Sequence, residues 1–274
     1  MKYGIIGYPV EHSLSPVMHE AGFRELGIDA QYHRIPLHPT ELAEGLAFLL
    51  ELGYSGINVT YPLKEAVLPF LDKVNPQASE IGAVNTIKVV DGGLQGYNTD
   101  GDGFVQALKE QGYDFTGRKV VILGAGGSAK SIAASLAHLP IKEILILNRT
   151  EEKARILVEL VHSLGGQASG EAFISGDWLK KVDLLIQTTS VGMRGESYPL
   201  SLQGINPSAW VIDLIYHPPL TKFLAEAESL GCRTMNGLDM LIWQGALAWK
   251  IWLDREAPVA QMRRALLDNY IKRG

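Results

Sequence analysis

The chain has 274 residues, a formal net charge of −5 and 46% hydrophobic residues. That length is a prior for two domains, and the hydrophobic share is ordinary for filled globular cores. The acidic balance argues against a nucleic-acid surface, and the single cysteine, Cys232, excludes an internal disulfide and fits a reducing compartment.

The N-terminal apolar stretch is broken by Pro9 and Glu11, so it is too short for a signal peptide. No uncharged apolar run is long enough to span a membrane. In chain order, Tyr3 to Ile6 reads as a strand, and Ser15-Pro16 opens a helix with Ser15 as N-cap and Pro16 at the first helical position. A strand from Gln31 to Ile35, a helix from Pro39 to Leu52 and a strand from Gly56 to Val59 follow. Next come a helix from Lys64 to Leu71 and a strand from Val84 to Val90 that turns at Asp91-Gly92-Gly93. Such alternation predicts a mainly parallel or mixed sheet covered by helices.

The loops of this region are rich in hydroxyls and amides. They read Glu11 to Pro16, Asn58 to Lys64, Ala83 to Thr86 and Tyr97 to Gly101. Open α/β sheets bind ligands beyond the carboxyl ends of their strands, and directed hydroxyls and amides suit a small polyhydroxylated ligand. Asn58, Thr60 and Asn98 would equally serve as caps of turns and helices. Lys64 and Asp100 are the pair with reaction chemistry. A lysine in the first turn of a helix opposes the helix dipole, an oddity that proton transfer would explain. Lys64 is otherwise a solvated surface residue and Asp100 the N-cap of a helix from Gly101 to Gln111.

The middle of the chain carries a strand–turn–helix unit, Val120 to Leu123, then Gly124-Ala125-Gly126-Gly127, then Ser128-Ala129-Lys130 onward. Gly124 permits the turn, Gly126 lets backbone approach a pyrophosphate, and Ala129 lets the helix pack close on the strand. An ordinary strand–turn–helix connection has the same pattern. The next strand, Ile144 to Leu147, ends at Asn148-Arg149-Thr150. An NAD-selective fold places a carboxylate there for the ribose 2′-hydroxyl. A neutral amide and an arginine favour a 2′-phosphate instead, so the physical expectation is NADP. Arg149 could also be an exposed loop residue, and Thr150 reads as the N-cap of the following helix. Strands from Asp183 to Gln187, Trp210 to Leu214 and Cys232 to Met235 complete a doubly wound sheet, with a helix from Leu220 to Leu230. Cys232 reads as a small buried side chain and His217 as structural. An apolar helix, Leu238 to Trp252, carries Gln244 in its middle, a buried amide needing backbone or ligand partners. Pro258 starts a final helix to about Tyr270.

Together the motifs resemble the shikimate dehydrogenase family over essentially the whole length. The resemblance rests on Ser13-Leu14-Ser15-Pro16, Asn58-Val59-Thr60-x-Pro62-x-Lys64, Gly82-Ala83-Val84-Asn85-Thr86, Asn98-Thr99-Asp100-Gly101, Gly124-Ala125-Gly126-Gly127, Asn148-Arg149-Thr150 and Gly237-x-x-Met240-x-x-x-Gln244. It implies an α/β protein with a Rossmann-like cofactor domain at 102–237. That domain is inserted into a discontinuous α/β substrate domain, 1–101 and 238–274, with the active site in the interdomain cleft. The implied reaction is the reversible NADPH-dependent reduction of 3-dehydroshikimate to shikimate.

On the same grounds, Ser13 and Ser15 hold the substrate carboxylate, while Asn58, Thr60, Asn85 and Gln244 bind hydroxyls or order the pocket. Lys64 and Asp100 flank the reacting carbon, with Lys64 the favoured proton donor and acceptor. Tyr216, Gly237 and Met240 lie near nicotinamide and substrate. Gly124, Ala125, Gly126, Gly127, Ser128 and Ala129 take the pyrophosphate, and Asn148, Arg149 and Thr150 the adenosine ribose phosphate. Lys130 stands where many members carry arginine, which exchanges a planar fork for a point charge. No metal site is expected. A cytoplasmic enzyme, with a homodimer as one possible state, completes the implied picture. The rival readings are an NAD-dependent quinate/shikimate dehydrogenase and a non-catalytic sensor of a nicotinamide cofactor.

Overall fold

A computed structural model describes residues 1–173 and 176–273 of the chain. The first part runs β1 (Lys2–Gly7), α1 (Ser15–Glu25), β2 (Gln31–Pro36), α2 (Leu42–Glu51), β3 (Tyr54–Val59), α3 (Leu63–Ala66), β4 (Lys73–Val74), α4 (Pro76–Ile81), β5 (Thr86–Val90), β6 (Gly93–Tyr97) and α5 (Asp100–Glu110). There follow β7 (Lys119–Leu123), α6 (Gly127–Ala137), β8 (Glu143–Asn148), α7 (Glu151–Ser163), β9 (Ala168–Ala172), β10 (Leu184–Gln187), β11 (Trp210–Asp213), α8 (Lys222–Ser229) and β12 (Arg233–Asn236). The chain closes with α9 (Leu238–Leu253) and α10 (Val259–Arg273). It divides into two compact units, Met1–Gly103 with Leu241–Gly274, and Phe104–Met240, so the divisions fall inside α5 and α9.

Unit 1 is built on a six-stranded mixed sheet of order β2-β1-β3-β5-β6-β4. β1 pairs parallel with β2 and β3, whereas β5 runs antiparallel to β3 and forms a hairpin with β6. The expected turn at Asp91-Gly92 therefore leads into a strand that sequence reading left out. Gly93-Leu94-Gln95-Gly96-Tyr97 has two glycines and too little alternation to announce itself. Gly96 nevertheless fits closely, since a Cβ there would lie 2.5 Å from Leu71 Cδ1 and that side chain would have to shift.

One core of this unit gathers Ile6, Leu42, Leu46, Leu49, Ile57, Leu63 and Ile87. A second gathers Tyr3, Phe23 and Tyr32 with Trp249 and Trp252 of α9. Trp252 donates its indole N–H to the Ile87 carbonyl at 2.8 Å, and Trp249 donates to His19 Nδ1 at 2.7 Å. The apolar C-terminal helix thus completes the core of the N-terminal sheet, which is why it is apolar on most of its sides.

Unit 2 is built on a six-stranded sheet of order β12-β11-β10-β7-β8-β9, with every pairing parallel. Read from β9, this is the doubly wound order, with the change of direction between β7 and β10. The central strands are near-continuous apolar runs, as parallel strands buried on both faces must be. Ile122, Ile146, Leu184, Ile186 and Ile212 are fully buried. Sequence reading missed β9, whose Ala-Ser-Gly-Glu-Ala run contains no β-branched or aromatic residue.

Candidate active site

In unit 1 the functional side chains converge at one end of the sheet. β1, β3 and β6 deliver their carboxyl ends there. Asn85 and Thr86 arrive differently from expectation, at the amino end of β5. Antiparallel pairing of β5 with β3 sets Thr86 opposite Asn58, and its pairing with β6 sets Thr86 opposite Tyr97. The Asn85 loop therefore precedes its strand yet joins the same cluster.

Lys64 lies in the short helix α3, anchored by the fully buried Leu63 on one side, and its own carbonyl accepts from the Val84 N–H at 2.8 Å. Its Nζ donates to Asp100 Oδ2 at 2.5 Å, with the two side chains 17% and 7% exposed. Asp100 is the first residue of α5 rather than its cap. Its backbone N–H donates to Asn98 Oδ1 at 3.1 Å, and Asn98 in turn donates to the Ala83 carbonyl. Asn85 supplies the other lock. Its Nδ2 donates to Asp100 Oδ1 at 2.7 Å and to Thr99 Oγ1 at 2.9 Å, while its Oδ1 accepts from the Thr99 N–H and the Thr86 hydroxyl. Both amide protons of Asn85 are thus used within the protein, which makes it an organiser of the pair. Asn58 behaves likewise: Nδ2 donates to the Asn85 carbonyl and to Thr86 Oγ1, and Oδ1 accepts from the Tyr32 hydroxyl at 2.6 Å. Lys64 keeps two of its three N–H donors beyond the ion pair, and Asp100 keeps lone pairs on both oxygens.

Other polar groups of unit 1 keep spare capacity. The Thr60 hydroxyl has no hydrogen bond among the described residues. Gln244, 8% exposed, donates from Nε2 to the Leu241 carbonyl at 2.7 Å, which answers part of its need for partners with backbone. Its amide oxygen has none among the described residues. Ser15 is not the N-cap of α1: that position is Leu14, with no side-chain cap bond, and Ser15 is the first helical residue with Pro16 following. The Ser13 hydroxyl instead donates to Ser15 Oγ at 3.2 Å and accepts from the Ser15 N–H at 3.3 Å, which aligns the two hydroxyls. Arg34 Nε donates to the Ser13 carbonyl at 2.8 Å and holds that loop from β2. Thr99, Thr86 and Tyr32 complete the cluster, and sequence reading assigned none of them to the site. The signal for Thr86 and Thr99 was present in the loops themselves. For Tyr32 there was none, since it sits inside a strand.

In unit 2, β7 ends in the glycine turn beside the change of direction of the sheet. Gly124 has φ +109°, and a Cβ there would lie 2.5 Å from Thr188 Oγ1, so no other residue fits. Thr188 itself donates to the Leu123 carbonyl at 2.8 Å and tightens the turn. At Gly126, the N-cap of α6, a Cβ would meet nothing within 4 Å. The turn is therefore open on the side of the helix N-terminus, where Gly127, Ser128 and Ala129 form the first turn and present N–H groups and a positive dipole end. Ala125 packs against the core of the unit, and Ala129 is fully buried.

At the end of β8, Asn148 donates Nδ2 to the Thr150 carbonyl at 2.8 Å, and Arg149 is exposed. Thr150 occupies the N-cap position of α7 but makes no side-chain cap bond, so its expected capping role is not seen. The nearby Glu152 pairs with Arg155 at 2.6 Å, which offsets its charge. An open glycine turn, a neutral amide, a free-standing arginine and an uncommitted threonine hydroxyl suit a phosphorylated dinucleotide. Lys130 lies in the first turn of α6, its N–H bonded to the Gly126 carbonyl at 2.9 Å.

The loops after β10 and β11 are organised by a buried pair. Gln187 Nε2 donates to the Thr189 and Val191 carbonyls and to Asp213 Oδ1, while Asp213 accepts from the Ile215 N–H and the Thr221 hydroxyl. Tyr216 follows in the second of these loops. Gly237 begins the path into α9, and a Cβ on it would lie 2.0 Å from the Leu214 carbonyl oxygen. Met240, 8% exposed, belongs to the core of unit 2.

Three family models match the chain. The shikimate dehydrogenase substrate binding domain matches residues 5–87, the shikimate / quinate 5-dehydrogenase model 106–192, and the shikimate 5′-dehydrogenase C-terminal domain 237–267. The chain is 48% identical over 264 residues to the shikimate dehydrogenase (NADP(+)) of Desulfitobacterium hafniense strain Y51, covering 96% of each protein. Among solved structures it is similar to a shikimate dehydrogenase in complex with NADP+, with a TM-score of 0.92 and 39% identity over 98% of this chain and 95% of that one. It is also similar to the shikimate 5-dehydrogenase of Thermus thermophilus in complex with NADP(H) and shikimate, with a TM-score of 0.88 and 36% identity over 98% and 99% of the two chains.

Proposed function

This chain belongs to the shikimate dehydrogenase family, and from that premise we propose that it catalyses the reversible NADPH-dependent reduction of 3-dehydroshikimate to shikimate, a step toward chorismate and the aromatic amino acids. The observation that carries this reading to particular residues is the Lys64–Asp100 pair locked in place by Asn85. Residues 1–101 and 238–274 hold the substrate, and residues 102–237 hold the cofactor.

Ser13 and Ser15 take the substrate carboxylate, and Tyr216 contributes to substrate binding. Thr60 and the Gln244 oxygen take ring hydroxyls, and Asn58 and Asn85 order the pocket. Gly124 to Ala129 accept the pyrophosphate at the N-terminus of α6, Asn148, Arg149 and Thr150 the 2′-phosphate, and Gly237 and Met240 border the nicotinamide. NADPH, when bound, supplies a hydride. Lys64 gives a proton to the carbonyl oxygen as negative charge develops there, and its ammonium stabilises that charge in a site sheltered from water. Asp100 keeps the ammonium at a fixed point, so that the proton is within reach when it is needed. In the oxidation direction Lys64 recovers the proton.

No described helix is long and apolar enough to cross a membrane. A cytoplasmic location is part of the same reading, supported by the single thiol; a homodimer is one state the resemblance allows, and light scattering of the purified protein measures it. Initial-rate assays crossing shikimate and quinate with NADP and NAD test the function itself. Turnover of shikimate with NADP should exceed every other combination, and a clear preference for NAD or for quinate overturns the proposal.

A further inference from the structure

Within unit 1, α5 and α9 meet at a crossing closer than side chains allow. Gly103 of α5 is buried, and a Cβ built on it would lie 2.6 Å from the Gln244 backbone nitrogen and 2.8 Å from the Gln244 Cα. Both are backbone atoms, so no change of rotamer makes room, and the two helices touch here because residue 103 is glycine.

Neither helix is free to drift. α9 is pinned to the rest of the unit by Trp249, which donates to His19 Nδ1 at 2.7 Å, and by Trp252, which donates to the Ile87 carbonyl at 2.8 Å. One residue past Gln244, a Cβ on Gly245 would lie 2.4 Å from Met18 Cε, so α9 is in close contact with α1 as well. The start of α5 is pinned by Asn85, whose Nδ2 donates to Asp100 Oδ1 at 2.7 Å, and by Asn98, whose Oδ1 accepts from the Asp100 N–H at 3.1 Å. Asp100 opens α5 three residues before Gly103, which sets the two on one face of the helix and about 4.5 Å apart along its axis. The backbone of Gln244 is therefore seated on the helical turn that begins with Asp100, the partner of Lys64.

We infer that Gly103 is a positioning residue for the reaction, fixing the separation between Gln244 and the Lys64–Asp100 pair. The inference rests on the reading of Gln244 as a ligand of a ring hydroxyl and of Lys64–Asp100 as the pair at the reacting carbon. It goes beyond that reading in naming what sets the distance between them, a residue with no side chain to offer substrate or cofactor. A hydroxyl-bearing carbon and the reacting carbon of one ring are a fixed distance apart, so the groups that engage them must be matched in separation. Non-bonded heavy atoms settle about 3.5 Å apart, so a methyl at position 103 would part the crossing by about 1 Å. Whichever helix yields, Gln244 and Asp100 cease to match the same ring, and misplacement on this scale costs on the order of 100-fold in rate.

The test measures kcat/KM for shikimate with NADP in wild type, Gly103→Ala, Gln244→Ala and the double variant, with the Kd for NADP measured directly. Alanine favours helix more than glycine does, so the substitution does not weaken α5 itself. We expect Gly103→Ala alone to lower kcat/KM about 10- to 100-fold, with the Kd for NADP within about 2-fold of wild type. In the Gln244→Ala background the same substitution should lower it by less than about 3-fold, because the group it misplaces is already gone. Equal fold-losses in the two backgrounds overturn the inference, since general loosening or displacement of Asp100 alone would act whether or not the Gln244 side chain is present. An unaltered kcat/KM in Gly103→Ala overturns it as well. Gln244→Asn is the second variant if Gly103→Ala does not fold: it leaves the crossing intact and draws the amide back by one methylene. We expect it to lower kcat/KM about 10-fold or more, and an asparagine as active as the glutamine overturns the matched separation. A Gln244→Ala variant with wild-type kcat/KM removes the reading of Gln244 and the inference with it. A wild type with no turnover of shikimate overturns the reaction assignment and the inference together.

Discussion

Asp213 is a fully buried carboxyl whose pKa is pushed from 3.8 up to about 6 by burial, against the opposing pull of hydrogen bonds from Thr221 and Ile215. Between these values the folded state keeps a proton that the unfolded chain has released. Stability from this group is therefore fully present below about pH 4 and is lost as pH rises toward about 6. The complete loss is about 3 kcal/mol, the difference of the two pKa values at about 1.4 kcal/mol per unit. Asp213→Asn removes the titration. It also removes the acceptor for the Thr221 hydroxyl, which sits at 2.7 Å, but that cost is the same at every pH.

From about pH 4.5 to about pH 7.5 the stability of Asp213→Asn should therefore gain on wild type by about 2 kcal/mol, because roughly 1 kcal/mol of the loss has already occurred at the lower pH. In calorimetry the gap between the two melting temperatures should move by about 4–8 °C in the variant's favour over that range. Taking the difference between the two proteins cancels every group they share. A gap that stays constant, or one that moves toward wild type as pH rises, refutes the argument that burial dominates at this carboxyl.

At Gly237, an added Cβ would lie 2.0 Å from the Leu214 carbonyl, a backbone atom that cannot rotate away. Gly237→Ala should cost about 1–3 kcal/mol, read as an earlier thermal transition, and an unchanged transition would mean that the backbone yields freely there. Arg149→Ala should raise KM for NADP about 10- to 100-fold while leaving NAD within about 2-fold, as expected for loss of a charge-assisted bond to the 2′-phosphate. Equal effects on both cofactors would remove Arg149 from phosphate reading.

Where sequence was read correctly, a local pattern and the tertiary structure asked for the same thing. Val120 to Leu123 followed by Gly124 and Gly126 specifies strand, turn and helix locally, and the parallel sheet needs that unit at its change of direction. The apolar face of α9 was legible for the same reason, although its partners His19 and Ile87 were not, lying 230 and 165 residues away in the chain. Strands β6 and β9 were hidden because their stability comes from neighbours. Gly96 is tolerated only because Leu71 and Val84 fill the space above it, and β9 is held by β8. The helix α4 did carry a readable start, Asn75 accepting from the Gln77 N–H with Pro76 at the first position, and it was passed over.

In the site, residue types were legible and their division of labour was not. Asn58 and Asn85 read as amides that either bind hydroxyls or order the pocket, and the sequence does not choose between the two; both spend their amide protons inside the protein. Ser15 and Thr150 read as caps, yet neither caps its helix. Which partner an amide or hydroxyl chooses depends on register across β3, β5 and β6, and no single loop contains that information.

The claim on which the rest depends is that Lys64 transfers the proton, with Asp100 and Asn85 holding it in place. Steady-state kinetics of Lys64→Ala, alongside direct measurement of NADP binding, test it most directly. The account predicts that kcat for shikimate oxidation falls about a thousandfold, within the range expected for loss of a general acid–base group, while the Kd for NADP stays within about 2-fold of wild type. A near-normal kcat with only KM for shikimate raised would contradict it, and would leave Lys64 as a binding group alone.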